Sequence, residues 1–224
     1  MFSPESLFSL ESFEHHALFD ALSFVWLALS RLEEYLRSVP LGHEGAIAGV
    51  YLERPELIFI GEGTVVEPGA FIRGPAVIGR NCCIRHGAYL RGNVLVGDGC
   101  VIGHATEVKH SILLNNSRAA HFAFVGDSIL GNDVNLGAGV KCANLRLDGE
   151  CVQLRHKKET VSTGLRKLGA LVGDGCQIGC NTVLNPGTVL GKETVCCPNI
   201  SLGGVIEEKM FVRKKQELLC ERER

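Results

Sequence analysis

The chain has 224 residues, 46% hydrophobic and 21% charged, with a formal net charge of -2. That balance describes a globular protein and gives no basic excess for nucleic acid or for an anionic membrane surface. Glycine is abundant at 27 residues and aromatics are scarce at 6%, which points to a turn-rich β architecture. The N-terminus carries Glu5, Glu11 and Glu14 where a secretory leader would carry basic residues. The apolar run Phe24 to Leu29 is too short to span a bilayer. Ten cysteines include the adjacent pairs Cys82-Cys83 and Cys196-Cys197 and no metal-type spacing, so they read as reduced thiols of a cytoplasmic protein.

The first predicted element is a helix over residues 15–38, within an N-terminal helical segment spanning 1–50. Leu18, Leu22, Val25, Leu29, Leu32, Tyr35 and Leu36 recur near helical spacing, and Pro40 and Gly42 end the run. Such a helix would cap the open edge of the β-structure C-terminal to it.

That β-structure is a repeat with a period of six. Aliphatic residues stand at Ile60, Val66, Ile72, Ile78, Ile84, Leu90, Val96, Ile102 and Val108, and four residues after each comes a mostly small side chain such as Ala70, Cys82 or Thr106. Each hexapeptide is a short strand plus a corner. The aliphatic residue points inward, the small residue fills the bend, and glycine supplies the left-handed corner geometry. Three sides make a coil of 18 residues, and stacked coils make a parallel β-solenoid. Cys82, Cys100 and Cys176 fall on the small interior position and are explained as small hydrophobes. The frame slips near Val125, resumes at Leu130, Leu136 and Cys142, and returns in phase at Val172. Residues 143–171 therefore leave and rejoin the solenoid. The predicted organisation is a repeat domain over 51–206 with an inserted polar hairpin or loop at about 147–166, then a short charged helix over 207–224.

A solenoid core leaves particular polar side chains unexplained. Arg91 and Lys109 lie one coil apart, so they should stack roughly 5 Å apart at the backbone. Stacked like charges repel, and a bound phosphate would relieve them. Two solvated surface cations are the plain alternative. His121 stands among apolar residues, with Glu107 and Lys109 upstream and Asn135 and Asn144 downstream. Histidine is suited to general base work near neutral pH, though a structural histidine is the usual occupant of such a place. Gly137 and Gly139 bare the backbone around Ala138, where an N–H can face an oxyanion. Asn132 sits in a Gly-Asn-Asp corner, for which turn chemistry is sufficient reason. A zinc set of His86, His104 and His110 is a rival constellation, but His110 falls on a different side of the triangle, so no metal is expected.

Together EVK at 107–109, RAAHFAFVGDSILGNDVNLGAG at 118–139, CANLRLDG at 142–149 and RKLGALVGDGCQIG at 166–179 resemble one family. It is the acetyltransferase half of the bifunctional N-acetylglucosamine-1-phosphate uridyltransferase/glucosamine-1-phosphate acetyltransferases, with the archaeal-type sugar-phosphate nucleotidyltransferases closest in spacing. The resemblance covers about residues 60–205. It implies a left-handed parallel β-helix and a homotrimer in which acetyl-CoA lies between neighbouring subunits. It also implies transfer of acetyl to an amino-sugar phosphate, with glucosamine 1-phosphate the expected acceptor, for UDP-N-acetylglucosamine synthesis. His121 matches the catalytic base, with Asn144 and Glu107 beside the acyl-transfer centre and Ala138 as the oxyanion N–H. Arg91, Lys109, Lys167 and Asn135 match sugar-phosphate contacts, and Ala138, Gly139 and Cys180 match positions against acetyl-CoA. Phe124 stands where many members have a phosphate-binding tyrosine, and Leu145 replaces another tyrosine. No uridyltransferase domain is expected, since residues 1–50 are too few for one. A different amino-sugar or hydroxyl acceptor, or a non-catalytic trimeric scaffold, are the alternatives.

Overall fold

The computed structural model describes residues 2–42, 47–157 and 159–215. The hexapeptides form three parallel sheets, each of eight strands among the described residues. The first sheet runs from Tyr51–Glu53 to Ser201–Leu202, the second from Ile58–Ile60 to Val205–Ile206, and the third from Val65–Val66 to Phe211–Val212. The chain visits them in that order on every coil, which makes a triangular prism. The predicted inward aliphatics fill it. Ile72, Ile78, Ile84, Leu90, Val96 and Ile102 are all fully buried and belong to one cluster. Interior cysteines do more than fill space, because Cys82, Cys100 and Cys176 each direct a thiol at a carbonyl of the next coil, those of Gly97, Leu114 and Gly191. Burial pushes the Cys142 and Cys176 thiols up to about 12, so neither is a reactive group.

The coil length changes earlier than the sequence suggests. Leu90 pairs with Val108, eighteen residues on, but Val108 pairs with Val125, seventeen on. The missing residue is at the corner between the first and second sheets. Arg91-Gly92-Asn93 turns that corner in one coil, whereas Lys109-His110 and Gly126-Asp127 turn it in the next two. Val125 is therefore an inward residue in good register, and the slip occurs twice, just after Val108 and just after Val125. His110 and Asp127 take positive φ angles of 45° and 48° to close these short corners.

The N-terminal segment departs from a single helix. It forms α1 (Pro4–Leu7), a 3-10 turn (His16–Phe19) and α2 (Leu27–Ser38). Ala21 at φ 55° interrupts the predicted run. The break lets Phe19 and Trp26 both bury themselves rather than follow one helical stripe. Nor does the segment sit on the end of the prism. It lies along the outer face of the second sheet, where Val77, Leu95, Ile112, Ile129, Leu171 and Val189 join Phe8, Phe13, Trp26, Leu29 and Leu32 in a second core. A 12-residue helix is marginal alone, whereas each such side chain contributes roughly 1.5–3 kcal/mol on burial. Packing therefore holds α2. Polar contacts fix the strap before it: Asn115 Nδ2 donates to Ser12 O, Asn132 Nδ2 to Ser9 O, and Ser9 N to Asp174 Oδ2, at 2.9, 2.9 and 2.7 Å.

The insertion forms an antiparallel hairpin, Gln153–His156 with Glu159–Ser162. It is less polar than its sequence reads, because Val152 and Leu154 are buried in the second core. At the other end, the expected helix over 207–224 is not seen across its described part. Phe211–Val212 instead adds a last strand to the third sheet, and residues 216–224 lie outside the described residues. The charged residues there face out from a coil that still has two apolar positions to pair.

Candidate active site

The predicted site residues separate into two groups, one at each lateral edge of the first sheet. The edge between the third and first sheets carries His121. Register places His121 beside His104, and His104 lies over His86 with ring centroids 5.7 Å apart. The seventeen-residue coil is what brings residue 121, rather than 122, into this histidine column, a relation an eighteen-residue count hides. Continuing the same register (Ala119 with Leu136, Leu136 with Ile178) sets Ala138 and then Cys180 above His121. His121 is exposed, and its carbonyl accepts the Gly139 N–H at 3.0 Å. Among the described residues the Ala138 N–H donates to no backbone acceptor, whereas the Ala138 carbonyl accepts from Asn181 N at 2.8 Å. One edge therefore gathers an exposed imidazole, a free backbone donor and the exposed Cys180, together with Gly139 at φ 74°.

His86 and His104 commit their Nδ1 atoms to the carbonyls of Pro68 and His86, at 2.7 and 2.9 Å. His110 is at the opposite edge, and no group of three metal-type ligands occurs among the described residues.

The edge between the first and second sheets carries Arg91, Lys109, Asn144 and Lys167. The two cations do stack in adjacent coils, next to Arg73, but the expected relief by a bound anion is unnecessary. Arg91 holds Glu107 at 2.6 Å, Lys109 holds Asp127 at 2.9 Å, and Arg73 holds Glu53 at 2.8 Å. Internal carboxylates neutralise the column. Glu107 is thereby engaged with Arg91 rather than placed at His121. Asp127, which reads from sequence as a plain turn residue, is the hub. Its buried carboxylate also accepts from Asn144 Nδ2, and its backbone N–H and C=O bond Lys109 O and Gly169 N. Lys167 reaches the same place through the neck of the insertion, where Leu145 bridges Lys167 and Leu168 N donates to Asn144 O at 3.0 Å. The Lys167 side chain is exposed and makes no ion pair among the described residues.

Phe124 joins the two groups. It follows His121 onto the outer face of the first sheet, and its ring leans over Gly126 toward Asn144. A Cβ on Gly126 would lie 2.6 Å from Phe124 Cζ and 2.8 Å from Asn144 Nδ2. Lys141, not singled out by its sequence context, stands next to Phe124 in the register and donates to Gly139 O at 2.6 Å. Asn135 is not brought in. It faces out from the third sheet between Arg118 and Gln177. On the hairpin over the second sheet, away from both groups, His156 and Lys157 approach Glu207 at 3.5 and 3.7 Å; Lys158 lies outside the described residues.

The sequence matches known proteins over part of this span. Residues 72–164 match the family model of the GMPPB C-terminal domain. A bifunctional protein GlmU of Methanococcus vannielii is 37% identical over 110 residues, which is 49% of this chain and 26% of that protein. A bifunctional sugar-1-phosphate nucleotidylyltransferase/acetyltransferase of Sulfurisphaera tokodaii is 40% identical over 79 residues, 35% of this chain and 20% of that protein. The repeat region is akin to the hexapeptide half of these bifunctional proteins. The UDP-N-acetylglucosamine acyltransferase from Campylobacter jejuni superposes with a TM-score of 0.50 at 17% identity, over 71% of this chain and 68% of that one. That likeness identifies the prism as a left-handed β-helix, the hand the sequence resemblance implied. The chain spans about a quarter of the length of the bifunctional relatives, 26% and 27% of the first two. No helix among the described residues is long and apolar enough to cross a membrane.

Proposed function

We propose that the chain is an acetyl-CoA-dependent N-acetyltransferase whose acceptor is an amino-sugar phosphate, with glucosamine 1-phosphate the first candidate. The observation that carries this reading is the edge where His121, the free Ala138 N–H and Cys180 stand in consecutive coils beside Phe124. The acceptor amine attacks the thioester carbonyl carbon while His121 takes its proton. The resulting oxyanion lies against the Ala138 N–H. Collapse of that intermediate breaks the carbon–sulfur bond, and the coenzyme leaves as a thiolate that recovers a proton from the imidazolium of His121. Acceptor binding falls to the opposite edge, where Lys167 is the cation without a carboxylate partner among the described residues and Asn144 is held in place by Asp127.

Asn135 faces out from the third sheet, on the strand next to the one that ends in His121 and away from the group that holds Asn144 and Lys167. The closed homotrimer, in which each site lies between two subunits and a second copy's outward face meets this edge, is part of the proposal.

A second reading has its own support. Arg91 and Lys109 are already paired, and Phe124 has no hydroxyl to give a phosphate. An acceptor without phosphate, an amino sugar or a hydroxyl group, suits that edge. The purified chain should be assayed with acetyl-CoA against glucosamine 1-phosphate, glucosamine and a panel of other amino sugars. The proposal expects glucosamine 1-phosphate to lead, His121→Ala to lower kcat/KM by about 10²–10⁴, and Lys167→Ala to raise KM for the phosphorylated acceptor alone. A fully active His121→Ala removes His121 from the role of base. Equal turnover of acceptors with and without phosphate selects the second reading.

A further inference from the structure

A cavity of about 310 Å³ lies between the N-terminal segment and the coil, at the edge between the second and third sheets. It shares no lining residue with either group at the margins of the first sheet. Its apolar walls come from both bodies, Phe13 and Tyr35 on the N-terminal side and Phe59 and Val77 on the coil. Phe13 and Val77 are buried, so these walls are formed without a ligand.

Glu14, His15, Arg80 and Asp98 bring charged and titratable groups to the lining. His15 Nδ1 is bonded to the Tyr35 hydroxyl at 2.9 Å, and no hydrogen bond among the described residues uses its Nε2. Arg80 lies between two carboxylates, 3.0 Å from Glu14 Oε2 and 3.6 Å from Asp98 Oδ2. Two negative charges therefore meet one positive charge. Burial pushes the His15 imidazole below its ordinary value of 6.5, against the pull of Glu14 and Asp98, so it does not supply the missing charge near neutral pH. Preformed apolar walls with a few convergent polar groups are the usual form of a small-molecule site. The charge left over sets the sign of what would complete this one.

We propose that this cavity is a second binding site, for a compact aromatic or aliphatic molecule carrying one cationic group. The apolar body packs between Phe13, Tyr35 and Phe59. The cationic group meets Asp98 and Glu14, and a donor or acceptor beside it reaches His15 Nε2. Since the walls belong to both bodies, a bound molecule would fasten the N-terminal segment to the coil.

Ligand-observed saturation-transfer NMR on the full chain tests this with three probes of one shape: benzamidine, benzyl alcohol and benzoate. The expected order of affinity is benzamidine, then benzyl alcohol, then benzoate. The double substitution Glu14→Gln and Asp98→Asn keeps hydrogen-bond acceptors in place. It should weaken benzamidine roughly tenfold, in the range of one charge-assisted interaction, and leave benzyl alcohol unchanged, which also shows that the cavity is still formed. Val39→Trp, which fills the cavity from its margin, should remove binding of both. Benzoate binding as tightly as benzamidine, benzamidine indifferent to the double substitution, or no saturable binding of any probe to the parent chain would each overturn the proposal.

Discussion

Asp127 receives Lys109 and Asn144 on a side chain only 8% exposed. Replacing it with alanine leaves a partly buried ammonium and a carboxamide without their acceptor. That change should cost about 1–3 kcal/mol, read as a lower midpoint in chemical denaturation, and acetyl transfer should fall with it. An unchanged midpoint would mean that water replaces the carboxylate at no cost. Gly126 makes the opposite case, since its substitution should harm the site more than the fold. Gly126→Ala would displace the Phe124 ring and the Asn144 carboxamide, each of which a Cβ there would overlap. The expected outcome is at least a tenfold loss of kcat/KM, which is about 1.4 kcal/mol in the transition state; a variant with full activity would show that the placement of Phe124 and Asn144 does not matter to turnover. His121 and Lys109 stand out in the sequence because the inward repeat does not require them, and the family resemblance adds Asn144. Asp127 could not, because Gly-Asp-Ser reads as an ordinary turn. Only the seventeen-residue register shows that its side chain faces Asn144.

Strand positions were readable because the inward residue recurs every six positions whatever the neighbours are. The N-terminal helix was only partly readable, since its apolar spacing continues across Ala21 while its backbone does not. Periodicity also could not show where it docks. The outward residues of the second sheet, Val77, Leu95 and Ile112, hold that information, and they look unremarkable one coil at a time. Two histidines lie under or beside this segment. His15 touches Tyr35 of α2, and His110 faces the Leu29 turn of α2 with Glu33, Asp127 and Lys109 around it. Burial is the largest influence on both and lowers each below 6.5, while the nearby carboxylates pull the other way. The unfolded chain therefore binds protons more readily than the folded one. The stability these groups contribute is present above pH 6.5 and is lost as pH falls below it. Trp26 is buried in this segment and is the chain's one tryptophan. Its emission should shift to the red as the pH falls from 7 to 5 (~2 units spanning the histidine range) while the far-ultraviolet β-signal holds. Simultaneous loss of both signals would show that segment and prism open as one unit.

Across the whole molecule, the outer face of the second sheet is taken by the N-terminal segment, which leaves the first and third sheets for self-association. The proposed closed trimer is tested by asking whether His121 and Asn135, both facing out from the third sheet, serve one site from different subunits. Chains carrying His121→Ala and chains carrying Asn135→Ala should each be weak alone. Refolded together, they should regain activity at about a quarter of the interfaces, the fraction that random pairing makes intact. No recovery on mixing would place both residues in a site within one subunit or remove Asn135 from it. The family resemblance supplied the candidate residues. Their split between two edges is legible only in the fold, because a linear motif does not record which corner of a triangle each residue turns.

Every departure from the regular repeat in the middle of the prism is on one seam. Both shortened corners, Lys109-His110 and Gly126-Asp127, and both ends of the insertion open on the edge between the first and second sheets. The edge that carries His121 keeps its six-residue rhythm on either side of the histidine. Length and chemistry can therefore drift on this seam, by a residue or by a whole hairpin, without moving the imidazole from its coil. Under the proposed function, a lineage built this way trades one acceptor for another while the edge that carries His121 is inherited intact.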